Sequence, residues 1–204
     1  MSPMLEWGAR PEGARVAVLA VHGRGGDPGS MRDVASRFGD APVRFFAPEA
    51  PGNAWYPGGF LQPLEDNQPA LENSLRTVGQ CLDELAGAGF GPERVVLWGF
   101  SQGACLISHY ALAVAPRRYA GLIVFTGGFI GPDLIADPVD EPLAGVPVVL
   151  RSISEDPWVP RHRVEETAAS LRAAGAQVDL RIDPGTEHII TDEACEAATR
   201  LLTS

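Results

Sequence analysis

The sequence predicts an α/β fold: a mostly parallel central sheet with helices on both faces. Two observations lead there. Short, continuous apolar runs recur along the chain, as expected of strands buried on both faces of a parallel sheet. Segments with helical spacing alternate with them. The length of 204 residues and a hydrophobic share of 45% suit one globular domain spanning residues 1–204. Folds of this class place their chemistry at the carboxyl ends of the strands.

The elements follow in order. Val16-Ala17-Val18-Leu19-Ala20-Val21 reads as a buried strand ending in His22-Gly23. Ser30 to Asp33 resembles a capping box opening a helix that runs to about Phe38. Val43 to Ala47 is the next strand. A long Pro- and Gly-rich loop extends from Pro48 to about Gln68 and carries Trp55, Tyr56 and Phe60. Its length marks it as functional or disordered, and its aromatics argue against disorder. Pro69 to Leu85 has helical spacing, with Leu71, Leu75, Val78, Leu82 and Leu85 on one face, and Gly87 and Gly89 stop it. Arg94 to Trp98 is a strand. Gln102 to about Ala115 is a helix closed by Pro116. Gly121 to Phe125 and Val146 to Ser152 are strands, and Arg161 to Ala174 is a helix stopped by Gly175. Gln177 to Ile182 is the last strand. Thr191 to Leu202 is the last helix, with Asp192 and Glu193 in its first turn.

Composition narrows the function. The net charge is −10, with acidic residues spread along the chain, which argues against nucleic acid and anionic membranes as partners. No stretch approaches the roughly 20 apolar residues of a membrane span. Met1 to Arg10 lacks an apolar signal core, so a cytoplasmic location is the default expectation. Cys81, Cys105 and Cys195 are odd in number and widely spaced, which suggests neither a disulfide framework nor a zinc site. All 16 basic residues are arginine. Schiff-base chemistry through lysine and a phosphate-binding P-loop are therefore excluded. No metal and no cofactor is expected.

The decisive motif is Gly99-Phe100-Ser101-Gln102-Gly103. Gly-x-Ser-x-Gly between a strand and a helix is the nucleophile elbow, a sharp strained turn that projects the serine from the end of the sheet. A side chain in place of either glycine would collide with the neighbouring strand and helix. The pattern alone is common, but here a strand precedes it and a helix follows. The run Gly99 to Ala104 is similar to the elbow of the phospholipase/carboxylesterase family of α/β-hydrolases, which includes acyl-protein thioesterases and small bacterial carboxylesterases. Further likenesses occur in order along nearly the whole chain. His22-Gly23-Arg24-Gly25-Gly26 resembles the family's His-Gly-x-Gly loop. Ala47 to Pro51 and Trp55-Tyr56 resemble its next loop, Ser154 to Pro160 its acid loop, and Gly185-Thr186-Glu187-His188 its histidine loop. The resemblance implies the α/β-hydrolase fold and acyl-transfer chemistry.

A serine hydroxyl needs a base to take its proton. Of the four histidines, His22 sits at the first strand's exit and more plausibly shapes that turn. His109 is eight residues along the helix from Ser101, about 12 Å by helix rise. His162 opens a helix and reads as a surface residue. His188 follows the last strand and fits the Ser…Asp…His order of this fold. The acid that orients it should lie between Ser101 and His188. Asp156, just past the strand ending at Ser152, is the first candidate and its neighbour Glu155 the rival. Asp133, Asp137, Asp140 and Glu141 lie in a Pro-rich loop expected to face water. The developing oxyanion needs two donors. One should be the backbone N–H of Gln102, and the other should come from the loop after the first strand; the resemblance implies the N–H of Arg24. Family members often carry leucine there. The Arg24 side chain is expected to be solvated, or else to tune the charge preference for substrate.

Trp55, Tyr56, Phe60, Leu61, Phe129, Ile130, Trp158 and Ile189 flank the proposed loops and are candidates for substrate contact. No segment is long enough for a large cap domain, so the cleft should be open. The expected function is hydrolysis of a small-molecule ester or thioester through Ser101, His188 and Asp156. A dienelactone-hydrolase-like lactonase is the rival enzyme, although such enzymes typically use cysteine at the elbow. A hydrolase fold reused for binding is the non-enzymatic rival. An exposed apolar patch could also support a homodimer.

Overall fold

The computed structural model describes residues 4–135, 138 and 140–204, so Asp137 lies outside it. Seven strands form one sheet: β1 (Leu5–Gly8), β2 (Val16–Val21), β3 (Val43–Ala47), β4 (Val95–Phe100), β5 (Gly121–Phe125), β6 (Pro147–Ile153) and β7 (Gln177–Asp183). Their order is β1-β3-β2-β4-β5-β6-β7. Among the described residues only β1 runs antiparallel to its neighbour; the other five pairings are parallel. Strands β2 to β7 therefore end on one edge, and their exit loops converge there.

Helices cover both faces. Helix α1 (Pro28–Ala35) and helix α5 (Asp192–Thr203) pack on one. Helices α2 (Ala70–Gly87), α3 (Gln102–His109) and α4 (Arg161–Ala173) pack on the other. Side chains of a strand alternate between faces, and here both faces are buried. In β4, Val95 and Leu97 join the core beneath α2, α3 and α4, while Val96 and Trp98 join the core beneath α1 and α5. That is why the strands read as unbroken apolar runs. Each such fully buried side chain contributes roughly 1.5–3 kcal/mol.

Three features differ from the sequence expectation. Strand β1 is short and only half-buried, so it carries no continuous apolar run; it is held by pairing with β3 and by Trp7 stacked on Phe45 at 5.0 Å. The capping box of α1 begins at Asp27, not Ser30. The Asp27 carboxylate accepts from Ser30 N–H at 2.7 Å, and the Asp27 N–H donates to Ser30 Oγ at 3.1 Å. Pro28 at the first helical position favours that earlier start. Helix α3 gives way to a single π-helical turn, Tyr110–Val114, closed by Ala115 N–H on Tyr110 O at 2.9 Å.

A buried charge, Arg151, ties the sheet to a helix. Arg151 on β6 is 4% exposed, and its guanidinium pairs with Glu193 of α5 and Asp179 of β7, each at 2.7 Å. Buried charge is tolerated there because both partners and two backbone carbonyls satisfy it.

Candidate active site

The elbow depends on two glycines. A Cβ on Gly99 would lie 2.6 Å from Ala104 N and from the Gly103 carbonyl. A Cβ on Gly103 would lie 2.5 Å from the His22 carbonyl oxygen and even closer to that of Val21. Helix α3 thus starts in direct contact with the end of β2, and no larger residue fits. Ser101 itself has φ 52° and ψ −119°, a region that L-residues occupy at a cost of about 1–3 kcal/mol. Its N–H donates to Phe125 O and its carbonyl accepts from Cys105 N–H, both at 2.9 Å, so strand and helix hold the turn from either side.

Neighbouring strands deliver the partners. Asp156 follows β6 and His188 follows β7. The two exits are laced together by Ser154 N–H on Asp183 O at 2.8 Å and Glu155 N–H on Gly185 O at 3.0 Å. His188 Nε2 lies 2.7 Å from Ser101 Oγ, and Nδ1 lies 2.7 Å from Asp156 Oδ2. The other carboxylate oxygen, Oδ1, accepts from Trp158 N–H at 2.8 Å and Val159 N–H at 2.9 Å. The Asp156 side chain is fully buried. Both of its oxygens are occupied, so its orientation is set. Glu155 takes no part in this chain of contacts. Phe100 packs on the His188 ring at 5.1 Å.

The other three histidines lie elsewhere. His22 is buried with both ring nitrogens bonded: Nδ1 donates to Gly23 O at 2.8 Å while Nε2 accepts from Ala50 N–H at 3.1 Å. His109 is buried on α3, where burial lowers its pKa. His162 is exposed at the start of α4.

Arg24 and Gln102 border the serine. Among the described residues the Arg24 N–H makes no hydrogen bond, and the Gln102 N–H is the first of α3 and has no partner within the helix. Both donors are thus free. The Arg24 side chain is not simply solvated. It donates to the carbonyls of Tyr56, Pro57 and Gly58 at 2.6–2.9 Å. The Gln102 carboxamide accepts from Trp55 N–H at 2.9 Å and donates to Tyr56 O at 2.7 Å.

A cavity of about 370 Å³ opens beside Ser101. Tyr56, Phe60, Trp158 and Val159 form apolar walls, and Ser101, Gln102, Cys105, His188 and Arg24 border it. Burial pushes the Tyr56 hydroxyl well above its ordinary value and the Cys105 thiol up to about 12, so the cavity floor stays uncharged. Trp158 is 72% exposed and stands at the mouth. Trp55 and Phe129, expected at the wall, are core residues instead. The Trp55 indole N–H is taken by His22 O at 2.8 Å, and Phe129 lies under the Arg163 guanidinium at 4.2 Å. Ile130 is likewise buried in the core. Ile189 turns into a neighbouring groove with Met31, Val34 and Phe100.

Three contributors escaped the sequence reading. Cys105 lies one helical turn from Ser101, a spacing that would have placed it on the same face. Val159 lines the cavity directly after Trp158. Asn67 is fully buried and holds Gly58 N–H at 2.8 Å and Gly59 O at 3.0 Å, which shapes the loop wall. No local pattern in a Pro-rich loop signals that role.

A family model described as phospholipase/carboxylesterase matches residues 9–203. The chain belongs to the phospholipase/carboxylesterase family. The family is one of esterase- and thioesterase-type hydrolases, and this chain is one of them. A similar solved structure is a phospholipase/carboxylesterase from Dyadobacter fermentans, 33% identical, with TM-score 0.90 over 98% of this chain and 95% of that one. The structure of esterase PE8 is 25% identical, with TM-score 0.79 over 98% and 97%. A probable carboxylesterase SOBER1-like of Arabidopsis thaliana is 26% identical over 88% of this chain and 75% of that protein. Acyl-protein thioesterase 1 of Schizosaccharomyces pombe is 33% identical over 52% of this chain and 48% of that protein. Among the described residues no helix is long and apolar enough to cross a membrane.

Proposed function

We propose that this phospholipase/carboxylesterase family member hydrolyses carboxylic esters or thioesters by way of an acyl-enzyme on Ser101. The unbroken Ser101–His188–Asp156 hydrogen-bond chain, 2.7 Å at each link, carries the proposal. In the ground state the serine hydroxyl donates to neutral His188 Nε2, and His188 Nδ1–H donates to Asp156. As Ser101 Oγ bonds to the substrate carbonyl carbon, its proton passes to Nε2. The negative charge moves to the carbonyl oxygen, which accepts from the N–H groups of Arg24 and Gln102. His188 then returns the proton to the departing alcohol or thiol. Water then attacks the acyl carbon while His188 takes its proton; the bond to Ser101 Oγ breaks, His188 returns that proton to Oγ, and the carboxylic acid leaves. Neutral His188 is required at both attacks, so activity falls on the acid side.

The cavity sits at the lower end of ligand-site volumes and is bounded by aromatic walls. Short acyl groups should therefore react best. The test is a panel of p-nitrophenyl esters of rising chain length beside acyl thioesters, run on wild type and Ser101→Ala. A fluorophosphonate probe should label wild type alone. Undiminished turnover by a folded Ser101→Ala variant would sink the proposal.

A further inference from the structure

The Arg24 side chain has no place in the chemistry above, yet it is held by more hydrogen bonds than most exposed arginines. Nη1 donates to Pro57 O at 2.9 Å, and Nη2 donates to Tyr56 O at 2.9 Å and Gly58 O at 2.6 Å. All three acceptors are backbone carbonyls of one loop segment, and two of them, those of Tyr56 and Gly58, belong to residues that line the cavity. Tyr56 O is also the acceptor of Gln102 Nε2 at 2.7 Å. The two residues proposed to supply the oxyanion donors thus converge, through their side chains, on one carbonyl oxygen.

We infer that the Arg24 guanidinium is a positioning residue that sets the oxyanion donors against the cavity wall. Its own N–H sits on the loop after β2, where Gly25 adopts φ 74°. Among the described residues that loop has one backbone-to-backbone tie to the loop after β3, Gly25 N–H on Asn53 O at 2.7 Å. The guanidinium adds three more ties across a planar fork, which fixes the loop in rotation as well as distance. Gln102, anchored in α3, reaches the same wall from the other side. The donor pair is then spaced by a shared, rigid strut.

An anion-binding role fits less well. A carboxylate is gripped by two parallel N–H groups on adjacent guanidinium nitrogens. Both such forks of an arginine use an Nη2 proton. Here both Nη2 protons point at protein carbonyls, so neither fork is intact.

The inference rests on the proposed esterase reading, and the experiment separates the two. Arg24→Met, Arg24→Lys and Gln102→Leu, singly and combined, are assayed on p-nitrophenyl acetate, with fluorophosphonate labelling and thermal melts alongside. Misplacement of about 1 Å can lower a rate about 10²-fold. Arg24→Met is expected to lose roughly 10- to 100-fold in kcat with KM changed less than about threefold. Arg24→Lys keeps the charge but cannot reach three carbonyls in one plane, so it should recover little. The double variant should lose less than the product of the single losses, because both side chains act on Tyr56 O. Millimolar guanidinium ion should raise kcat of Arg24→Ala and leave wild type unchanged. Wild-type kcat in Arg24→Met, or full recovery in Arg24→Lys, overturns the positioning role while labelling of Ser101 leaves the esterase reading intact. An unlabelled, inactive wild type takes both down.

Discussion

Asp156→Asn isolates the role proposed for Asp156 with little disturbance of the fold. The asparagine Oδ1 can keep both backbone donors, Trp158 N–H and Val159 N–H. The amide group must then face His188 Nδ1. Two N–H groups cannot share that 2.7 Å contact, so the imidazole is driven to the tautomer with its proton on Nε2. That proton points at Ser101 Oγ, and the base has no lone pair left for the serine proton. In serine hydrolases of this arrangement the change costs about 10⁴-fold in kcat. That corresponds to about 5.4 kcal/mol at 1.36 kcal/mol per tenfold. Stability should change by less than about 1 kcal/mol, since the lost group is replaced by an isostere with its backbone bonds retained. Steady-state hydrolysis of p-nitrophenyl acetate gives the rate, and a urea titration gives the stability. A variant that folds normally and keeps more than a tenth of wild-type kcat would refute this account of Asp156.

Three other outcomes are expected. Gly103→Ala places its methyl against the Val21 and His22 carbonyls, so it should cost at least about 3 kcal/mol and lower Tm by roughly 6–12 °C in a scanning melt. Trp158→Ala removes an exposed wall of the cavity; KM for p-nitrophenyl hexanoate should rise several-fold while kcat on the acetate and the melting temperature stay close to wild type. His109 has a folded pKa lowered by burial, so below its unfolded value near 6.5 the unfolded chain binds more protons and stability falls. His109→Leu should therefore lose less stability between pH 7 and pH 5 than wild type does, as read from urea midpoints.

The sheet was readable because its strands are buried on both faces. Runs such as Val16 to Val21 need no partner information to be recognised, and the helices between them carry one apolar face. Element ends came within a few residues wherever glycine or proline marks them, as at Gly87 and Gly175. Strand β1 was not readable, because at an edge half its residues face solvent and its order comes from pairing with β3. The capping box was misplaced because Ser30 plays its part as the third residue of the helix, and Asp27 three residues earlier supplies the cap. Local patterns of this kind are degenerate by one turn.

Within the site, legibility followed the chain's own punctuation. Ser101 directly follows β4, and Asp156 and His188 lie in the exit loops of β6 and β7; an α/β sheet brings such positions together whatever lies between them. The cavity wall obeys no such rule. Trp55 and Tyr56 are adjacent aromatics in one loop, yet Trp55 turns into the core toward His22 O and Tyr56 borders the cavity. Their difference arises from long-range bonds: Gln102 grips both residues' backbone, and Arg24 takes the carbonyls that follow. The side chains that fix this wall belong to Arg24 and Gln102, the two residues the sequence proposes as backbone oxyanion donors. A wall built in this way cannot shift without moving Arg24 and Gln102, the proposed oxyanion donors, so substrate size and rate should vary together in variants of residues 53–59.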